Sequence, residues 1–159
     1  MIDKNIGFIG LGNVGSKIAN NILQSNYNLF IYDLDKKSSS ELVNKGAIWQ
    51  NTIKDIVQNT SVVITCLPSV ESVKDVIEKK GGLIENISKK HLWIEMSTTD
   101  ENEMIRLSKL VESKGSNVLE APITGGQHKA ESGNISIFSG GKRKNFDRAF
   151  PLLSEIGYE

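Results

Sequence analysis

Gly10, Gly12 and Gly15, in the run Gly10-Leu11-Gly12-Asn13-Val14-Gly15, have the types and spacing to cradle a diphosphate. The chemistry is recognition of an anion rather than bond making. Gly10 permits a tight turn, Gly12 lets a pyrophosphate approach the backbone, and Gly15 lets the next helix pack close to the strand before it. The phosphates would sit on free N–H groups of this turn, at the positive end of a helix. Asp33 follows roughly 20 residues later, where a ribose-binding carboxylate belongs. A carboxylate there can accept both ribose hydroxyls of NAD and would repel the 2′-phosphate of NADP. Two unit charges at 4 Å near a surface interact by roughly 4 kcal/mol before salt screening, up to about a thousandfold preference. Lys36 and Lys37 could partly accommodate that phosphate, although solvated lysines at a helix start are the plainer reading.

The elements around these residues must position them. Ile6, Phe8 and Ile9 fit a strand buried on both faces. Val14, Ile18, Ala19, Ile22 and Leu23 recur at helical spacing, and Asn26 can cap that helix in a left-handed conformation. Asn28 to Tyr32 is a second strand ending at Asp33. A polar helix from about Lys37 to Lys45 stops at Gly46, Ala47 to Trp49 is an edge strand, and Thr52 caps a short helix. Ser61 to Leu67 is a central β-branched strand ended by Pro68, followed by a helix through Val70, Val73, Val76 and Ile77.

Leu92 to Met96 is the fifth strand, with Ser97-Thr98-Thr99 at its carboxyl end. Asp100 and Glu103 have capping-pair spacing for the next helix. Asn117 to Glu120 is strand six. A second glycine turn follows at Ala121 to Gly126, then a polar loop to Gly133, a final strand from Asn134 to Ser139, a Gly140-Gly141 turn and a last helix that Pro151 should kink or restart. Strands alternating with helices predict an α/β fold: a doubly wound, mostly parallel Rossmann-type sheet with helices on both faces.

Composition narrows the partners. The 159 residues suffice for one domain burying roughly two-thirds of its unfolded surface. Nineteen basic residues balance nineteen acidic ones, so no basic field exists for nucleic acid. No apolar run approaches the roughly 20 residues of a membrane span. The first strand starts close to Met1, which leaves no room for a targeting segment. A cytoplasmic location is expected, or an organellar one if such a segment has been removed. Cys66 is the single cysteine, and the two histidines have no ligand spacing, so no metal is expected. Cys66 reads as a buried structural thiol, His91 as a surface residue, and Trp93 and Trp49 as core and edge packing. No G-x-S-x-G elbow supports a serine hydrolase.

Four motifs in order, GFIGLGNVGSKIANNIL, ITCLPSVESV, IEMSTTD and EAPITGGQHKAESGNISIFSGG, resemble the N-terminal NAD-binding domain of the β-hydroxyacid dehydrogenases. That family includes 3-hydroxyisobutyrate dehydrogenase and tartronate semialdehyde reductase and is related to 6-phosphogluconate dehydrogenase. The resemblance covers essentially the whole chain. It implies cofactor contacts from Gly10, Leu11, Gly12, Asn13, Val14, Gly15 and Asp33, from Leu67 and Pro68, from Ser72, and from Thr98 beside the nicotinamide ribose. It implies that Thr124, Gly125 and Gly126 hold the carboxylate of a small-molecule substrate.

Glu120 stands where the family usually has Asp, Thr124 where it has Ser, Ile123 where it has Val, and Ser72 where it often has Asn. His128 could touch substrate or the rest of the protein. The family's catalytic lysine, in a Gly-x-x-x-Lys-x-x-Asn pattern on an all-helical second domain, has no counterpart before Glu159. Residues 1–159 are therefore expected to be the dinucleotide-binding part of an NAD-dependent oxidoreductase, or a naturally one-domain relative of it, with no catalytic residue of their own. Homo-oligomers would form only through the helical domain. Two alternatives stay open: a non-catalytic dinucleotide-binding or regulatory module, and an NADP-dependent reductase of small aldehydes.

Overall fold

Ile6, Phe8 and Ile9 are almost completely buried, as a strand covered on both sides requires. They belong to β1 (Asn5–Ile9) in the computed structural model, which describes residues 4–158. The expected boundary at Glu159 lies outside the described residues. The chain continues through α1 (Gly15–Gln24), β2 (Asn28–Tyr32), a 3-10 turn (Lys36–Ser39), α2 (Ser40–Asn44), β3 (Ile48–Trp49), α3 (Ile53–Asn59), β4 (Val62–Thr65), α4 (Val70–Glu78) and α5 (Leu83–Asn86). Then come β5 (Leu92–Glu95), α6 (Glu101–Ser113), β6 (Asn117–Glu120), β7 (Ile123–Thr124), α7 (Gly126–Glu131), β8 (Ile135–Ile137), β9 (Gly140–Gly141), α8 (Arg143–Ile156) and β10 (Gly157–Tyr158).

The main sheet has the order β3-β2-β1-β4-β5-β6-β9. Every pairing in it is parallel except that of β6 with β9. The chain leaves β1 to one side for β2 and β3, then crosses to the other for β4, β5 and β6, which is the doubly wound arrangement. Alternation along each strand separates two cores. Phe8, Ile64 and Ile94 face α1, α2, α7 and α8, while Ile9, Val63 and Trp93 face α3, α4, α5 and α6.

Local signals acted as expected at several ends. Asn26 has φ 63°, Thr52 accepts the Asp55 N–H at 3.1 Å, and Asp100 accepts the Glu103 N–H at 3.1 Å. Glu103 does not reach back to its cap; it pairs with Arg106 instead.

The carboxyl-terminal third departs from expectation. The polar loop after Gly126 is the helix α7. At six residues it is too short to be stable alone. Asn21 holds it by donating to the Ala130 carbonyl at 2.7 Å, and Lys17 pairs with Glu131 at 3.0 Å. The strand expected from Asn134 to Ser139 shortens to β8 and joins β7 and β10 in a separate small sheet. Gly140-Gly141 is the last strand of the main sheet rather than a turn. Helix α8 runs through Pro151 without restarting. Pro151 and Asp147, whose carbonyl loses its helical partner there, are both exposed.

Candidate functional site

The order of the main sheet reverses between β1 and β4, and a cavity of about 730 Å³ opens at the carboxyl ends of β1, β2 and β4. Crevices at this position receive ligands in open α/β sheets because the loops on either side diverge. The glycine turn forms one wall. The Gly10 N–H donates to Tyr32 O at 3.1 Å, and the Cys66 N–H donates to Ile9 O at 3.0 Å, which ties the turn to both neighbouring strand ends. A Cβ on Gly15 would lie 2.2 Å from the Gly10 carbonyl oxygen, so the absence of a side chain is what lets α1 start against β1. A Cβ on Gly12 would meet nothing within 4 Å; its face is open to the cavity. Among the described residues, the N–H groups of Gly12, Asn13 and Val14 have no protein acceptor. This is the donor set that an anion needs.

Asp33 closes the far side of the turn. Its Oδ2 accepts the Leu11 N–H at 2.7 Å and its Oδ1 accepts the Asp35 N–H at 2.8 Å. Each oxygen keeps further acceptor capacity, so the carboxylate is fixed in place yet can still accept hydroxyl donors.

Gly10, Gly12, Asn13, Val14, Gly15, Asp33, Leu67, Pro68 and Ser72 all border this one cavity. Leu11 is buried beneath it and contributes its N–H to Asp33. Ser69 caps α4 by accepting the Ser72 N–H at 3.1 Å, and the two hydroxyls lie 2.9 Å apart. Thr98, Thr124, Gly125 and Gly126 are exposed and lie outside the cavity wall. Gly125 (φ 129°) and Gly126 (φ 72°) have backbone conformations that a side chain would strain. Sequence reasoning missed Tyr32, Leu34 and the segment Lys79 to Gly82, which also border the cavity. Leu34 is 95% exposed directly after Asp33, an apolar surface that only the placement of β2 brings to the cavity mouth.

Cys66 also borders the cavity, and burial, with Glu95 nearby, pushes its thiol up to about 12. It is therefore a neutral packing group rather than a nucleophile. His91 corrects the surface expectation: it is 1% exposed. Its Nδ1 accepts the Ser88 N–H at 2.9 Å and its Nε2 lies 3.0 Å from the Val57 carbonyl. Burial lowers its pKa, and the neutral ring joins α3 to the start of β5, away from the cavity. Trp93 is fully buried and Trp49 stacks on Tyr32 with ring centroids 6.0 Å apart. Lys36 lies 5.6 Å over the Trp49 ring.

Glu95 was the other omission, although an acid within the apolar run LWIEM was a visible signal. It is fully buried, bonded to the Thr65 hydroxyl and, at 2.6 Å, to the Ser97 N–H. Burial pushes its carboxyl up to about 7, hydrogen bonds oppose the rise, and Glu120 adds to it. The folded chain therefore binds this proton more tightly than the unfolded chain does. The stabilisation is complete below the ordinary value of 4.5 and is lost as pH rises through about 7. The loss is about 3 kcal/mol, and Glu95→Gln should abolish it. Urea midpoints from pH 4 to 8.5 test this; parallel profiles for the two chains would exclude Glu95 as the source.

A family model described as the NAD binding domain of 6-phosphogluconate dehydrogenase matches residues 5–159. An uncharacterized oxidoreductase, YkwC of Bacillus subtilis, is 32% identical over 154 residues, 97% of this chain and 54% of that protein. The mitochondrial 3-hydroxyisobutyrate dehydrogenase of Rattus norvegicus is 33% identical over 152 residues, 96% of this chain and 45% of that protein. The Mycobacterium tuberculosis 3-hydroxyisobutyrate dehydrogenase solved with L-serine superposes with a TM-score of 0.90 at 27% identity, over 99% of this chain and 53% of that one. The chain thus spans about half the length of the curated relatives it matches. Among the described residues, no helix is long and apolar enough to cross a membrane.

Proposed function

The chain belongs to the family of the NAD-binding domain of 6-phosphogluconate dehydrogenase, and we propose that it is the cofactor half of an NAD-dependent β-hydroxyacid dehydrogenase. The substrate would be a short β-hydroxyacid or its semialdehyde. One observation carries the cofactor reading: the unpaired N–H groups of the glycine turn and the fixed carboxylate of Asp33 face a single cavity at the switch point of the sheet. A diphosphate fits the open face of Gly12, and a ribose diol fits Asp33.

When bound, the dinucleotide supplies the hydride chemistry. The residues of this chain bind and orient. Asp33 selects the ribose without a 2′-phosphate, because its negative charge opposes a second anion. Leu67, Pro68 and Ser72 wall the cavity past β4, and Thr98 at the end of β5 stands on the nicotinamide side. The exposed turn of Thr124, Gly125 and Gly126 receives the substrate carboxylate through a hydroxyl and backbone N–H groups. Fixing that carboxylate aligns the reacting carbon, an entropic gain that converts an encounter into a positioned reaction. The general acid is a lysine outside residues 1–159. The small carboxylate is the expected partner, and self-association belongs to the remainder of the protein.

Titrating residues 1–159 with NADH and NADPH, followed by cofactor fluorescence, tests this. Saturable binding that is weak but favours NADH is expected, with negligible oxidation of 3-hydroxyisobutyrate. Absence of NADH binding would refute the cofactor assignment. Robust turnover by these residues alone would refute the placement of the acid.

A further inference from the structure

We propose that Glu95 is a positioning residue: its buried carboxyl holds the Ser97 turn and, through Ser97, the Leu67 wall of the cavity in the geometry that receives the dinucleotide. This rests on the functional reading above and adds a residue to it that does not touch the cofactor.

The connection is continuous. The Trp93 indole N–H donates to Thr65 Oγ1 at 2.8 Å, which leaves the Thr65 hydroxyl proton free to point at Glu95 Oε2. The Ser97 N–H donates to Glu95 Oε1 at 2.6 Å. Ser97 Oγ in turn accepts the Leu67 N–H at 2.8 Å. Strand β4 ends at Thr65, so Leu67 lies beyond its ladder, and the Ser97 hydroxyl supplies the missing acceptor. Glu95, Thr65, Trp93 and Ser97 are all buried, so water does not compete for these donors. One carboxyl thus grips the ends of two adjacent strands, and the segment it fixes is part of the cavity wall.

Burial without a neighbouring cation favours the acid form, against the Thr65 and Ser97 donors, which favour the carboxylate. Among the described residues, the ionisable groups facing Glu95 are Glu120, its register neighbour on β6, and Cys66 beyond β4. Neither is a cation. Ionisation of Glu95 therefore sets a buried charge against another carboxylate, and the diphosphate of a bound dinucleotide opposes it further. By linkage, NADH affinity should fall as Glu95 ionises.

The test is NADH titration of the full chain from pH 6 to 8.5 for the unmodified protein, Glu95→Gln, Ser97→Ala and the double variant, with circular dichroism to confirm folding. Affinity of the unmodified chain should fall about fivefold across that range, the low end of a typical coupling between two sites. Glu95→Gln should flatten the profile. Ser97→Ala should bind about fivefold more weakly at pH 6, and its effect should not add to that of Glu95→Gln. An unchanged profile in Glu95→Gln, or additive losses, would overturn the proposal. Should Glu95→Gln fail to fold, Ser97→Ala decides alone: affinity equal to the unmodified chain at every pH overturns it. If the unmodified chain binds no NADH at any pH, the cofactor reading has failed, not merely the role of Glu95.

Discussion

Asp33→Asn should remove most of the discrimination between NADH and NADPH. The unmodified carboxylate is held by the Leu11 and Asp35 N–H groups, so it cannot swing away from an incoming phosphate. Its charge opposes a 2′-phosphate by roughly 4 kcal/mol at 4 Å, and the amide carries no charge. The ratio of the two affinities should therefore fall by up to about a thousandfold at low salt, and by less as ionic strength rises. Part of the change is weaker NADH binding, because a charged acceptor is lost from the ribose. The amide oxygen can still serve one of the two backbone donors, so the turn should survive, which circular dichroism would verify. Comparable affinities of the unmodified chain for the two cofactors would disprove the assigned role of Asp33.

Gly10→Ala should unfold the site as well as empty it. The added Cβ would lie 2.2 Å from the Cys66 carbonyl oxygen and 2.9 Å from Leu67, and Gly10 has φ 101°. Overpacking costs about 1–3 kcal/mol and the strained backbone a further 1–3. A loss of about 2–6 kcal/mol is a large share of a domain's stability. Gly12→Ala separates the two consequences. Nothing lies within 4 Å of its Cβ, so stability should change by less than about 1 kcal/mol. NADH affinity should nevertheless drop at least about tenfold, because the methyl occupies the diphosphate's approach. Chemical denaturation and NADH titration of both variants give the answer. Equal stability losses in Gly10→Ala and Gly12→Ala would contradict the geometry of the turn.

The legible part of the site was the part whose chemistry is local. A glycine turn, the helix after it and an acid at the end of the next strand interact across one βαβ unit, so spacing alone pointed to Gly10, Gly12, Gly15 and Asp33, which the fold brings to one cavity. Glu95 was harder, because its partners Thr65 and Ser97 matter only once β4 and β5 lie side by side. His91 was misjudged for the same reason: its acceptor, Val57, is 34 residues away.

The sequence by itself determined the doubly wound, mostly parallel architecture and the glycine turn between β1 and α1, because apolar runs and helical periodicity are dictated by which faces must leave water. Only the tertiary structure decided the carboxyl-terminal third. Helix α7 is too short to persist without Asn21 and Lys17 of α1. Gly140-Gly141 is a strand because the edge of β6 offers it a partner. Short segments carry too little local free energy to choose a conformation, and long-range hydrogen bonds choose for them.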